Sequence, residues 1–225
     1  MQKTRKEKPF YDLGKNPDIN SIASLIALID GYLANFFDDP DPYDRWIKQG
    51  ALGREFAAEW RETYRTLYKI AKTIKKIPEI QKYVVAQGAL RSLSVPLTLF
   101  AASLAIVSLL FTKPLGFLML AFIMASVGAV ALVLSWTAGK KVADSIDNYF
   151  KVHYEKYKFK RAYLRNVVQK LIFSLAYYLK KKDMELERYR FKLFNAYYKG
   201  IRVLKKPKLF RKRYLVTFNV KELPL

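Results

Sequence analysis

The 225-residue sequence has no cysteine and a single histidine, His153. Without cysteine there is no disulfide, no thiol nucleophile, no iron–sulfur ligand and no zinc site that needs a thiolate. One imidazole cannot build the multi-histidine centres of most metal or acid–base sites. His153 stands among aromatic residues at helical spacing and is expected to pack or to hydrogen-bond at the surface. The phosphate-cradling GxxxxGK(S/T) and GxGxxG loops are missing, as are the HExxH zinc helix and the GxSxG nucleophile turn. No catalytic residue, metal or cofactor is expected. The opening residues MQKTRKEKPFYDLGKNPD are charged and lack an adjacent clean apolar core and small-residue cleavage site, so no signal peptide is expected.

Acidic side chains are scarce. There are 19 against 41 lysines and arginines, for a net charge of +22. Hydrophobic residues nevertheless make up 52 %, too many for a disordered polycation. The charge is unevenly spread. Residues 1–91 carry 16 basic and 12 acidic side chains, residues 92–139 only Lys113, and residues 140–225 carry 24 basic and 7 acidic ones, an excess of 17.

The middle of the chain lacks charge almost completely. SLSVPLTLFAASLAIVSLLFT (92–112) and LGFLMLAFIMASVGAVALVLSWTA (115–138) are uncharged runs of 21 and 24 residues. A helix needs about 20 residues to cross the hydrocarbon core of a bilayer, and each run meets that length alone. Lys113 and Pro114 separate them: proline starts a helix well but fits poorly inside one, and lysine can extend its amine into headgroups. The expected fold is therefore an all-α membrane protein, with a two-helix transmembrane hairpin, cytoplasmic helical flanks (1–91 and 140–225) and a candidate short C-terminal strand. A buried helical hairpin in a soluble protein is the alternative. Lys75, Lys76, Lys82 and Arg91 precede the hairpin and Lys140 and Lys141 follow it, against Lys113 alone at the turn, so both termini are expected in the cytoplasm or on the equivalent inner side of a virion membrane. Small residues around 125–131 are expected to let the two helices approach closely.

In the N-terminal flank, Ile22, Leu25, Ile26, Ile29, Leu33 and Phe36 predict a helix over 18–37, capped by Asp18 or Asn20. A second helical element is expected from near Tyr43 to Lys76, with Gly50 and Gly53 allowing a bend or a close contact, and a short helix from Pro78 leads to the first span. Asp38, Asp39, Asp41 and Asp44 offer hard oxygen ligands. They lack the twelve-residue calcium loop with its central glycine and final glutamate, so a helix-linking turn, or an acidic surface paired with the basic part, is expected. Glu55, Glu59 and Glu62 lie among Arg54, Arg61 and Arg65, which predicts i,i+4 pairing along one helix.

In the C-terminal flank, the spacing predicts one long helix from the second span through Leu175, bent near 157–160, then a helix over 183–204. RYLVTFNV (213–220) alternates as a strand does, with a partner expected from another subunit. Aromatics and cations interleave throughout. The residues expected to bind an acidic partner or phosphate are Arg161, Arg165, Lys180, Lys181, Lys182, Lys205, Lys206, Lys208, Arg211, Lys212 and Arg213. The expected partners are a bilayer with anionic headgroups, further copies of the chain or other membrane-complex subunits, and, in an alternative reading, nucleic acid. The expected function is a non-catalytic, membrane-anchored structural or scaffold subunit of a cellular complex or a viral membrane-associated shell. The alternative is a membrane-tethered nucleic-acid-binding or packaging protein.

Overall fold

The computed structural model describes residues 10–14, 17–110, 115–208 and 212–224. The expected turn at Lys113–Pro114 and the candidate site residue Arg211 lie outside the described residues. Helices account for 71 % of the described residues, and a three-stranded sheet accompanies them. The helices are α1 (Ile19–Leu33), α2 (Asp41–Lys48), α3 (Arg54–Lys75), α4 (Pro78–Leu110), α5 (Leu115–Val152) and α6 (Tyr154–Lys181). The strands are β1 (Phe191–Leu193), β2 (Ile201–Lys205) and β3 (Tyr214–Phe218). Two compact units result: Met1–Ala71 with His153–Leu225, and Lys72–Val152. The charge-based stretches 1–91 and 140–225 thus share one unit for most of their length.

In the first unit α1 is the core helix. Asp18 caps it, Oδ1 accepting from the Asn20 amide at 3.0 Å and Oδ2 from the Ser21 hydroxyl at 2.5 Å; the Ser21 bond holds the Asp18 carboxyl below its ordinary range. The helix ends three residues before Phe36 because Asn35 takes a left-handed φ of 62°. The Phe36 amide then returns to the Gly31 carbonyl at 2.8 Å, a Schellman closure. Ile22, Leu25, Ile26 and Ile29 are fully buried, as are Leu164, Val167, Leu171 and Leu175 of α6. The acidic stretch 38–44 is consumed locally. Asp39 accepts from the Asp41 amide, Asp41 from the Tyr64 hydroxyl, and Asp44 from the Trp60 indole while meeting Lys48 at 2.6 Å. Gly50 has φ +82°, and a Cβ on Gly53 would stand 2.0 Å from the Asp12 carbonyl, so both glycines are required where α2 gives way to α3. Glu59 does not pair with an arginine of its own helix. Lys170 reaches it at 3.2 Å and the Tyr11 hydroxyl at 2.5 Å, joining α3, α6 and the N-terminal segment.

The C-terminal flank departs most from expectation. Helix α5 breaks at His153, before the expected bend at 157–160. The helix expected over 183–204 is instead β1, a turn and β2. Leu186, Leu193 and Ile201, whose spacing predicted that helix, are buried all the same. Two features of the fold prevent a helix there. Gly200 has φ +78°, and an added Cβ would stand 2.5 Å from Leu223. The amides of Phe194 and Asn195 both donate to Asp30 Oδ2, at 2.5 and 3.1 Å, which removes them from any helical ladder. The expected strand over 213–220 is β3, but its partners are not in another subunit: β1 and β2 flank it in the order β1-β3-β2, both antiparallel.

The second unit is an antiparallel helix pair. Glu79 faces Ser145, Tyr83 faces Lys141, Gln87 faces Ser135 and Gly139, and Gly128 lies against Ser94 and Thr98. The short helix expected after Pro78 is continuous with the first long apolar run, and Pro96 lies inside it without ending it. The inward positions of α4 repeat in sevens: Ile80, Gln87, Ser94, Ala101 and Ser108 form one row, Tyr83, Leu90, Leu97 and Leu104 the other. On α5 the matching positions include Ala121, Gly128 and Ser135, and Ala131 and Ala138. A strict seven-residue period gives a left-handed supercoil, and the small residues let the helices close on one another. Ser94 and Thr98 satisfy their hydroxyls on carbonyls of their own helix, and Ser135 reaches the Gln87 carbonyl at 3.3 Å.

Candidate basic interface

The sheet is held in place by two buried polar residues. Asp30, on α1, is fully buried and accepts from both backbone amides above, from Asn195 Nδ2 at 2.6 Å and from the Tyr198 hydroxyl at 2.6 Å. Burial pushes its carboxyl above the ordinary range while these donors pull it down. Burial, with the neighbouring Asp30 carboxylate, drives the Tyr198 hydroxyl up. Thr217, in β3, is also fully buried, its hydroxyl within reach of the Leu186, Glu187 and Tyr189 carbonyls at 3.2, 2.7 and 2.9 Å.

Side chains alternate across a strand, so register fixes the two faces of the sheet. Phe191, Val216 and Val203 form one row, and Ile201 pairs with Phe218; all of these but Val203 are buried. On the other face Lys192 and Lys205 both stand opposite Leu215, and Arg202 stands opposite Thr217. A regular ladder would set Leu204 opposite Leu215. The register shift between Val203 and Lys205 puts a lysine there instead. Neighbouring strands are about 4.8 Å apart, so the two lysines flank Leu215 across about 10 Å. Lys192, Arg202 and Lys205 are exposed, Leu215 is half-buried, and the three cations have no ion pair or hydrogen bond among the described residues. The segment bearing Glu187 covers the Thr217 end of this face.

The expected basic residues are dispersed around this surface. Lys205, Lys206 and Lys208 continue it along and beyond β2 and are exposed. Lys212 lies over the Phe36 ring at 5.3 Å and Arg213 over the Phe194 ring at 4.5 Å, those two rings being stacked at 4.5 Å; Arg213 also meets Asp38 at 3.7 Å. Arg165 lies over Tyr197 at 4.4 Å. Lys180, Lys181 and Lys182 close the C-terminal end of α6, where cations suit the helix dipole. Arg161 has an internal use: it donates to Asn35 Oδ1 at 3.1 Å and to the Leu33 carbonyl, completing the end of α1. Sequence reasoning missed Lys192 and Arg202. The signal was the in–out alternation of FKL and IRVLK, obscured by an apolar spacing that also fits a helix.

Beside β1 a groove of about 470 Å³ runs along α1, where the small Ala23, Ser24 and Ala27 leave room; Arg190, Lys192, Asp38 and Asp39 also line it. The aspartates are already engaged by Arg213 and by the Asp41 amide.

No protein-family model, curated protein or solved structure matches the chain.

Proposed function

We propose that the chain is a non-catalytic, membrane-anchored scaffold subunit. In this reading α4 and α5 cross a bilayer as a hairpin, both termini lie on the cytoplasmic side or its virion equivalent, and the unit built from the two flanks presents its basic surface to other members of an assembly. The outward faces of α4 and α5 carry the argument. Both helices are long and apolar enough to span, and only 17 % of each apolar window is buried. A core helix of a soluble protein would have those side chains inside. Here Leu99, Leu109, Phe122 and Trp136 are 65, 75, 74 and 71 % exposed. Each large apolar side chain left in water forgoes about 1.5–3 kcal/mol, so these faces need cover, and lipid tails supply it. Trp136 suits the interfacial end of a span. The excess of Lys75, Lys76, Lys82, Arg91, Lys140 and Lys141 over Lys113 supports the orientation.

The shortage of a strand partner no longer argues for self-association, since β3 is paired within the chain. The free edge of β2 bears Arg202 and Lys205, which would repel the same edge of another copy. Assembly through other subunits is the better reading. The excess of 17 positive charges in residues 140–225 also supports the alternative of tethered nucleic-acid binding.

The test has two steps. Membranes holding the full chain are washed at alkaline pH and in urea, and the retained protein is then extracted in mild detergent for native mass with lipid and nucleic acid quantified. Retention and a defined protein assembly free of nucleic acid are expected. Release by the washes would sink the membrane reading, a lone monomer would sink the scaffold, and stoichiometric nucleic acid would favour the tethered-binding alternative.

A further inference from the structure

We infer that the exposed sheet face, with Lys192 and Lys205 astride Leu215 and Arg202 beside them, docks an acidic, amphipathic segment of a partner protein. The inference rests on the scaffold reading and names the site and chemistry of its interface. Three cations on one face, without partners among the described residues, call for carboxylates. The bulge matters here, because it sets Lys205 where Leu204 would otherwise stand. Leu215 decides between polyanions. It is a half-buried apolar side chain standing between the two lysines in register. A protein segment can place an apolar side chain on Leu215 and carboxylates around it, the apolar-centre and polar-rim arrangement of protein interfaces. A nucleic-acid backbone offers nothing to Leu215. The residues in register on this face, Lys192, Leu215, Thr217, Arg202 and Lys205, include no aromatic ring on which bases would stack.

The experiment uses the full chain in nanodiscs of neutral lipid. A displayed library of random 12-residue peptides is selected against it, and the winning peptide is remade with a fluorophore for titration. Winners interleaving Asp or Glu with Leu, Ile or Phe are expected. Their affinity should fall at least tenfold in the double variant Lys192→Glu, Lys205→Glu, fall severalfold in Leu215→Ser, and hold in Lys180→Glu, Lys181→Glu. The charge variants alter exposed residues, so they decide the matter even if Leu215→Ser perturbs the sheet. Failure to enrich acidic–apolar peptides would overturn the inference, and so would equal loss on reversing Lys180 and Lys181. A 20-base-pair DNA duplex that binds through Lys192 and Lys205 with no dependence on Leu215 would overturn it in favour of nucleic acid. Alkaline extraction of the hairpin is indifferent to this face, so failure here leaves the membrane reading standing.

Discussion

Asp30 is the residue on which the sheet depends. Two backbone amides, one side-chain amide and one hydroxyl converge on its two carboxylate oxygens, filling their four lone-pair directions. Asp30→Asn would turn an N–H₂ group either towards the two backbone amides or towards Asn195 Nδ2, none of which can accept. We expect a loss of about 2–4 kcal/mol, read by denaturant unfolding in detergent. The same residue gives a pH dependence. Its carboxyl lies above the ordinary value in the folded chain, so folding binds that proton more tightly. The resulting stabilisation is complete below the unfolded-state value of about 3.9 and disappears as pH rises through the folded-state value; Asp30→Asn should flatten that slope. Gly53 is a second critical residue. Its Cβ would collide with the Asp12 carbonyl at 2.0 Å, and Gly53→Ala is expected to cost about 1–3 kcal/mol in the same assay.

Among the elements, the end of α1 and the seam between α4 and α5 make separate claims. Arg161 satisfies the last turn of α1 from the neighbouring α6. Arg161→Ala should therefore raise amide exchange at Ala34 and Phe36, with a stability loss of about 1–2 kcal/mol and little change in partner binding. An effect on partner binding without faster exchange would return Arg161 to the surface role expected from sequence. In the seam, a side chain on Gly128 meets Thr98 at 3.3 Å and the Ser94 carbonyl at 3.4 Å. Gly128→Leu should part the helices. The chain has no native cysteine, so a disulfide between Gln87→Cys and Gly139→Cys reports the separation cleanly: it should form readily in the parent and several times more slowly with Gly128→Leu.

At the scale of the whole molecule, the apolar segment is shorter than the helices that contain it. α5 continues for 14 residues past Ala138, to Val152, a length of about 21 Å. α4 likewise begins 14 residues before Ser92. The polar extensions hold Glu79, Lys82, Lys140, Lys141, Asp144 and Asp147, which belong in water. If the pair spans as proposed, an impermeant thiol reagent applied to intact cells should label Lys113→Cys and leave Asp144→Cys unlabelled until the membrane is opened. The reverse pattern would invert the orientation; labelling of both from outside would deny the span.

The sequence by itself determined what composition and uninterrupted length can carry. Two runs of 21 and 24 uncharged residues fixed two long apolar helices, and the Asp18 cap and the strand near 213–220 were also legible, because each depends on neighbours within a few residues. The seven-residue row Ile80, Gln87, Ser94, Ala101, Ser108 stands in the sequence, but the apolar background from Ser92 onward conceals it. Tertiary structure alone decided the rest. Leu186, Leu193 and Ile201 suit a helix and a sheet equally, and the choice fell to Asp30, more than 150 positions away in sequence, which claims the amides a helix would need. The basic face is likewise a product of pairing. Lys192, Arg202 and Lys205 share a surface only because β3 inserts between β1 and β2 and a one-residue bulge turns Lys205 outward, and no local pattern records which strand lies between two others.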